Sequence, residues 1–191
     1  MIPHMPQAVK RFKPALLEWL CRLLLVFLVI YVLACICFAS LQRRLIYFPP
    51  HYTAEQVNAA AKEAGLERWT NSSGQPVGMK RLSPRRPADG QVLIVYGNGS
   101  WTAGCAHYAD QIQVLAAFDV FILEYPGYAD RPGSPSQESI FHAADEALQL
   151  LDTNKPVFLL GESLGSGVAA YLAGTQPNLI AVCFCSHPTI N

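Results

Sequence analysis

Two rhythms of apolar residues divide the chain. Residues 23–39 read LLLVFLVIYVLACICFA and carry no charge. With Leu16, Leu17, Trp19 and Leu20 ahead of it, this run approaches the ~20 residues that cross a bilayer as a helix. A helix apolar on every side for this length is not the surface helix of a globular domain. Beyond residue 41 the runs shorten. QVLIVY (91–96), DVFILEY (119–125), PVFLL (156–160) and LIAVCFCS (179–186) are nearly continuous in Val, Ile, Leu and Phe. Such runs suit strands buried on both faces of a parallel sheet. Helical patterns over residues 103–117, 136–151 and 164–175 separate them. The alternation predicts an α/β fold with a mostly parallel sheet and helices on both faces.

Ahead of the first such strand, residues 53–65 read as a short helix with Thr53 as cap and Gly65 as stop. LERWT and PVGMKRL flank NSSGQ, a hairpin signal, and SPRRPADG is a turn-rich connection. The expected organisation is a basic segment over residues 1–15, a transmembrane helix or signal anchor over 16–40, and one domain over 41–191.

Charge adds a topology. Lys10, Arg11, Lys13 and Arg22, offset by Glu18, precede the apolar run, and Arg43 and Arg44 follow it. The basic excess places the N-terminus in the cytoplasm and the domain outside. VLAC, ending at Cys35, also resembles a lipoprotein cleavage box, which would leave Cys35 lipidated. Either way the domain is tethered to a membrane. Fourteen basic and fourteen acidic residues cancel, so nothing points to nucleic acid. The six cysteines form no CxxC pair and no metal spacing, so no metal and no cofactor is expected. Cys183 and Cys185 share one face of a strand and are poorly placed to bond each other.

The first candidate chemistry lies at Gly161-Glu162-Ser163-Leu164-Gly165, between the strand VFLL and a helix. That is the context a G-x-S-x-G elbow requires. The turn is too tight for side chains at the glycines, and the serine oxygen is left exposed. The backbone N–H of Leu164, at the helix N-terminus, can face a developing oxyanion. The alternative is a glycine-rich turn that only packs helix on sheet. YGNGSWTAG (96–104), after the first core strand, could supply a second N–H donor. It has a rival reading. Gly97-Asn98-Gly99 before a helix is a partial dinucleotide fingerprint, with Glu124 where a ribose-binding carboxylate would sit. Thr102 occupies the third glycine position, and Gly104 comes two residues late. EYPGYADRPGSPS (124–136) is an aromatic loop at the C-terminal edge of the sheet, where ligands bind in such folds.

Together these residues resemble an α/β-hydrolase, and more narrowly its membrane-anchored members. Tyr96-Gly97-Asn98-Gly99 is similar to that family's His-Gly-Asn loop, with Tyr96 for the His. Glu124 to Tyr128 is similar to its Asp-Tyr-x-Gly-Tyr-Gly turn, with Glu124 for Asp and Ala129 for the last Gly. Gly133-Ser134-Pro135-Ser136 matches its Gly-Ser-Pro-Ser stretch, and LIYFPP resembles its approach to the domain. The resemblance implies Ser163 as nucleophile and the backbone N–H groups of Asn98 and Leu164 as oxyanion hole. Gly97, Gly99, Tyr125 and Glu162 would line the site. The implied substrate is a small-molecule or lipid-like ester, thioester or amide, cleaved through an acyl-enzyme.

The family's chain order is Ser, then Asp or Glu, then His. The resemblance implies that both partners come later than residue 186, so the chain reads as an N-terminal portion with the C-terminal part of the fold missing. His187 falls too early in the fold for the base. His107 and His142, with Asp110, Asp145 and Glu146, lie in predicted helices as surface groups. A serine without a base is a weak nucleophile. A catalytically incomplete remnant or binding module therefore stands beside the hydrolase, with a dinucleotide-binding domain third. The last strand is expected to be an open sheet edge unless a second chain completes it.

Overall fold

A computed structural model describes residues 14–176 and 179–184. The chain divides into two units, Met1–Leu45 and Ile46–Asn191. The first carries most of helix α1 (Pro14–Ile46). Its span Leu16–Ile46 has a mean hydropathy of 2.9, and no residue of its most apolar stretch is buried. This is one candidate membrane helix, which a signal sequence would also satisfy. Cys21, Cys35 and Cys37 are exposed on it.

In the second unit, helix α2 (Ala54–Glu63) begins at Thr53, whose hydroxyl accepts from Gln56 N while the Gln56 side chain accepts from Thr53 N. Such a reciprocal cap fixes the start of a short helix. Strands β1 (Glu67–Thr70) and β2 (Pro76–Arg81) form the expected antiparallel hairpin, with Trp69 opposite Gly78. Strands β3 (Gly90–Val95), β4 (Phe118–Leu123), β5 (Val157–Glu162) and β6 (Ile180–Phe184) are parallel to one another. The sheet order is β1-β2-β4-β3-β5-β6, and β2 joins β4 antiparallel. β3 is buried along its whole length, as its unbroken apolar sequence predicts.

Residues 103–117 are not one helix. A 3-10 turn (Ala103–Cys105) leads into α3 (Ala106–Leu115). Helix α4 (Gln137–Gln149) starts at Ser136, whose hydroxyl accepts from Ser139 N at 3.0 Å, and α5 (Leu164–Thr175) follows Ser163 directly. The period of two along β5 assigns faces. Gly161 packs under α5, against Gly165 and Ala169. Phe158 and Leu160 point the other way, into a groove shared with Ile112 and Leu115 of α3. Phe141 of α4 stacks on Tyr171 of α5 with ring centroids 4.0 Å apart, so α4 shares the α5 face. Helices thus cover both faces of the sheet.

Position follows from topology. The chain passes from β3 to β4 on one side and returns to β5 on the other. In open α/β sheets, the crevice at the strands' C-terminal ends beside such a reversal is where ligands bind. Here the loop after β3 and the turn after β5 meet at that place.

Candidate functional site

β5 ends in a turn that only particular residues permit. Ser163 has φ 49 and ψ −112, a conformation that ordinary side chains rarely adopt. A Cβ on Gly161 would lie 2.7 Å from the Gly165 carbonyl oxygen and 2.9 Å from Ala169 Cβ. A Cβ on Gly165 would overlap the carbonyl of Val95, at the end of β3. Both glycines are thus required by close backbone approach. Ser163 itself is exposed, at the threshold of α5.

The loop after β3 lies against this turn. Gly97 is buried, and a Cβ there would sit 3.4 Å from Ser163 Cβ and 3.7 Å from Glu162 Cδ. Asn98 is exposed, but its side chain is occupied. Its Oδ1 accepts from Phe48 N at 3.0 Å and from the Tyr128 hydroxyl at 2.8 Å. Its Nδ2 donates to the Ile46 carbonyl at 2.5 Å. Gly99 turns the chain at φ 76.

Beneath the loop is a buried polar network. Glu124 is 3% exposed and accepts from the Tyr96 hydroxyl, from Thr102 N at 3.2 Å and from Thr102 Oγ1 at 2.8 Å. Burial raises its carboxyl to about 7, against the lowering effect of those three donors. Tyr125 is fully buried, and its hydroxyl donates to the Tyr96 carbonyl at 2.7 Å. It therefore supports the loop from below, and its position departs from the expectation that it lines the site.

Glu162 is half-buried and lies on the α3 face of β5. Burial raises the phenol of Tyr108 to about 12, with Glu162 adding to the rise. The remaining candidates are engaged elsewhere. His107 and His142 are exposed, and His107 Nδ1 lies 3.2 Å from the Gly104 carbonyl. Asp110 pairs with Arg81 at 2.7 Å and Glu146 with Arg131 at 2.9 Å, while Asp145 accepts from Tyr171 at 2.8 Å. His187 and Cys185 lie outside the described residues, as does the Cys183 side chain. Among the described residues no hydrogen bond joins a histidine or carboxylate to Ser163, and no three His, Cys, Asp or Glu side chains gather as a metal site.

The structure thus brings Ser163, Leu164, Gly97 and Glu162 together and places Asn98 next in the loop. The sequence reading did not anticipate the Asn98 side-chain bonds or the Thr102–Glu124 contact. Each joins residues far apart in the chain, and no local pattern announces them.

Comparison with known proteins identifies the fold. A family model described as alpha/beta hydrolase fold matches residues 90–190. An uncharacterized protein of Mycobacterium tuberculosis is 31% identical over 147 residues, which is 72% of this chain and 51% of that one. The lysophosphatidylserine lipase ABHD12 of Gallus gallus is 34% identical over 89 residues, covering 42% of this chain and 22% of the lipase. The Bos taurus lipase of that name is 32% identical over 114 residues, covering 54% and 27%. The chain spans about half the length of the mycobacterial relative and about a quarter of the lipases. An Aspergillus niger epoxide hydrolase superposes with a TM-score of 0.51 at 14% identity, covering 73% of this chain and 40% of the enzyme. At that identity the likeness is one of fold.

Proposed function

From a chain that belongs to the α/β-hydrolase fold family, we propose a serine acyl hydrolase with Ser163 as nucleophile. The observation that carries this is the strained, exposed Ser163 between two glycines that no larger residue can replace, at the point where the sheet order reverses. Strain of this kind persists where the surroundings enforce it, and it presents the hydroxyl to the crevice.

In the reaction, Ser163 Oγ attacks the acyl carbonyl carbon and its proton passes to a general base. The carbonyl oxygen takes the negative charge and is met by the backbone N–H groups of Asn98 and Leu164. Collapse of the tetrahedral adduct expels the alcohol, thiol or amine, which leaves with the proton. Water then cleaves the acyl-serine by the same steps. In this chain order the acid and base follow the nucleophile. Gly97 lies against Ser163, Gly99 turns the loop, and Glu162 flanks the serine. Tyr125 acts from beneath as support.

The substrate class in this reading is a lipid-like acyl compound. Relatives bearing the name lysophosphatidylserine lipase support it, as does an apolar helix long enough to tether the domain to a bilayer. The positive-inside bias then puts the domain on the extracytoplasmic side.

Reaction with a fluorophosphonate tests the reading, because the reagent phosphonylates only a nucleophilic serine. Labelling of the wild type and none of Ser163→Ala is the expected result. Labelling that survives Ser163→Ala, or no labelling of the wild type, overturns it. The alternative reading is a non-catalytic acyl-lipid-binding domain. Saturable lipid binding without covalent labelling would support that instead.

A further inference from the structure

We propose that the Asn98 side chain is a positioning residue that locks the candidate oxyanion loop to the segment leading into the domain. The inference rests on the reading of Ser163 and Asn98 N–H given above, and concerns what holds that N–H in place.

The loop cannot hold itself. Asn98 lies between two glycines, and Gly99 is in the left-handed region at φ 76. A glycine-flanked peptide has much conformational freedom to lose. Its neighbours must therefore fix it, and they do so at three points. Gly97 packs on Ser163 and Glu162. Thr102 is tied by its N–H and hydroxyl to the buried Glu124. Between them the Asn98 side chain makes the three hydrogen bonds to Phe48 N, Tyr128 Oη and the Ile46 carbonyl.

The Asn98 amide imitates a strand's peptide group. It offers an oxygen to the N–H of residue 48 and an N–H to the carbonyl of residue 46, as a neighbouring strand would. Its orientation is fixed chemically, since a backbone N–H only donates and a backbone carbonyl only accepts. The same segment is then carried on to the Tyr128 turn. Ala129 N donates to the Pro50 carbonyl at 2.7 Å, and Tyr52 N donates to the Ala129 carbonyl at 3.2 Å. Residues 46–52 and 128–129 thus form one frame, and Asn98 is the bolt that joins the loop to it. A shift of residues 46–48 moves the Asn98 backbone N–H with it.

Asn98→Ala keeps the backbone N–H and deletes all three bonds. Asn98→Asp keeps both acceptor bonds, removes the donor and sets a carboxylate against the Ile46 carbonyl. Tyr128→Phe removes one bond only. The full chain in detergent micelles is followed by amide hydrogen exchange and by fluorophosphonate kinetics. In Asn98→Ala, exchange in residues 97–101 and 46–49 is expected to accelerate together. The limiting labelling rate is expected to fall about tenfold or more, with the half-saturating reagent concentration unchanged, because a displaced donor costs rate and not binding. Tyr128→Phe gives a smaller change of the same sign, and it carries the comparison if Asn98→Ala does not fold.

Unchanged exchange in residues 97–101 in both Asn98 variants overturns the proposal. So does a loss of protection spread evenly across β3, β4 and β5, which marks a merely structural residue. If wild-type Ser163 is not labelled at all, the nucleophile reading fails, and the paired exchange of the two segments decides the clamp by itself.

Discussion

Gly165 and Val95 meet backbone to backbone: the first turn of α5 rests on the carbonyl that ends β3, and a Cβ at residue 165 would overlap it. The strain at Ser163 and the approach of the β3 loop both depend on this contact. Backbone on each side of the clash leaves little to yield, so Gly165→Ala is expected to lose about 3 kcal/mol or fail to fold. Gly167, two residues further along α5, has nothing within 4 Å of its would-be Cβ. Gly167→Ala is expected to gain about 0.5–1 kcal/mol from helix propensity. Thermal denaturation of the two variants should move in opposite directions. A Gly165→Ala protein as stable as the wild type would mean that α5 and β3 do not touch in this way.

Ser163 should trade stability for reactivity. At φ 49 and ψ −112 it occupies backbone space that glycine enters freely. Ser163→Gly is therefore expected to raise stability by about 1 kcal/mol. Ser163→Ala retains a Cβ and the strain, so it should stay near the wild type. Urea titration of the three proteins checks this, and a Ser163→Gly midpoint at or below that of Ser163→Ala would contradict it.

How much of this could be read from the sequence depended on distance along the chain. The Thr53 cap, the hairpin around Asn71 and the Leu164 start of α5 are local, and each was legible. β3 and β4 showed themselves because burial on both faces leaves no polar alternation. The helix expected over 103–117 broke into a 3-10 turn and α3, because Thr102 is drawn inward to Glu124 at that end. Glu124 could be read as a ribose carboxylate or as the acid of a turn, and sequence spacing fitted both. Tyr125 looked like a site residue for being aromatic in a loop, yet packing placed it wholly inside.

That inward turn of Glu124 yields a prediction about the dinucleotide alternative. A ribose-binding carboxylate must face the crevice with its oxygens free. Both Glu124 oxygens are taken, one by Tyr96 and one by Thr102, and the residue is 3% exposed. NAD or NADP at concentrations that saturate ordinary dehydrogenases should leave the melting temperature unchanged. An upward shift that disappears in Glu124→Ala would restore the dinucleotide reading.

The same carboxyl should make folding stability depend on pH. Glu124 has an ordinary value near 4.5 when unfolded and about 7 when folded, raised by burial. Between these values the native state holds more protons than the unfolded state, so stability falls as pH rises. The fall begins near pH 4.5 and levels off above about 7, and it amounts to something on the order of 3 kcal/mol. Asp119 acts in the opposite sense and elsewhere. Burial works to raise it, but the Ser83 N–H, Arg86 and Lys155 outweigh burial and hold it low. Its contribution is present above the ordinary aspartate range and is lost only on acidification below it. Comparison with a variant that cannot ionise isolates the Glu124 contribution in the window from 4.5 to 7. Glu124→Gln cannot ionise, and one of its amide hydrogens faces donors, so it should be weaker at pH 5 but flatter across the window. Chemical denaturation of both proteins at half-unit steps reads the slope directly, and parallel curves for wild type and Glu124→Gln would refute the assignment.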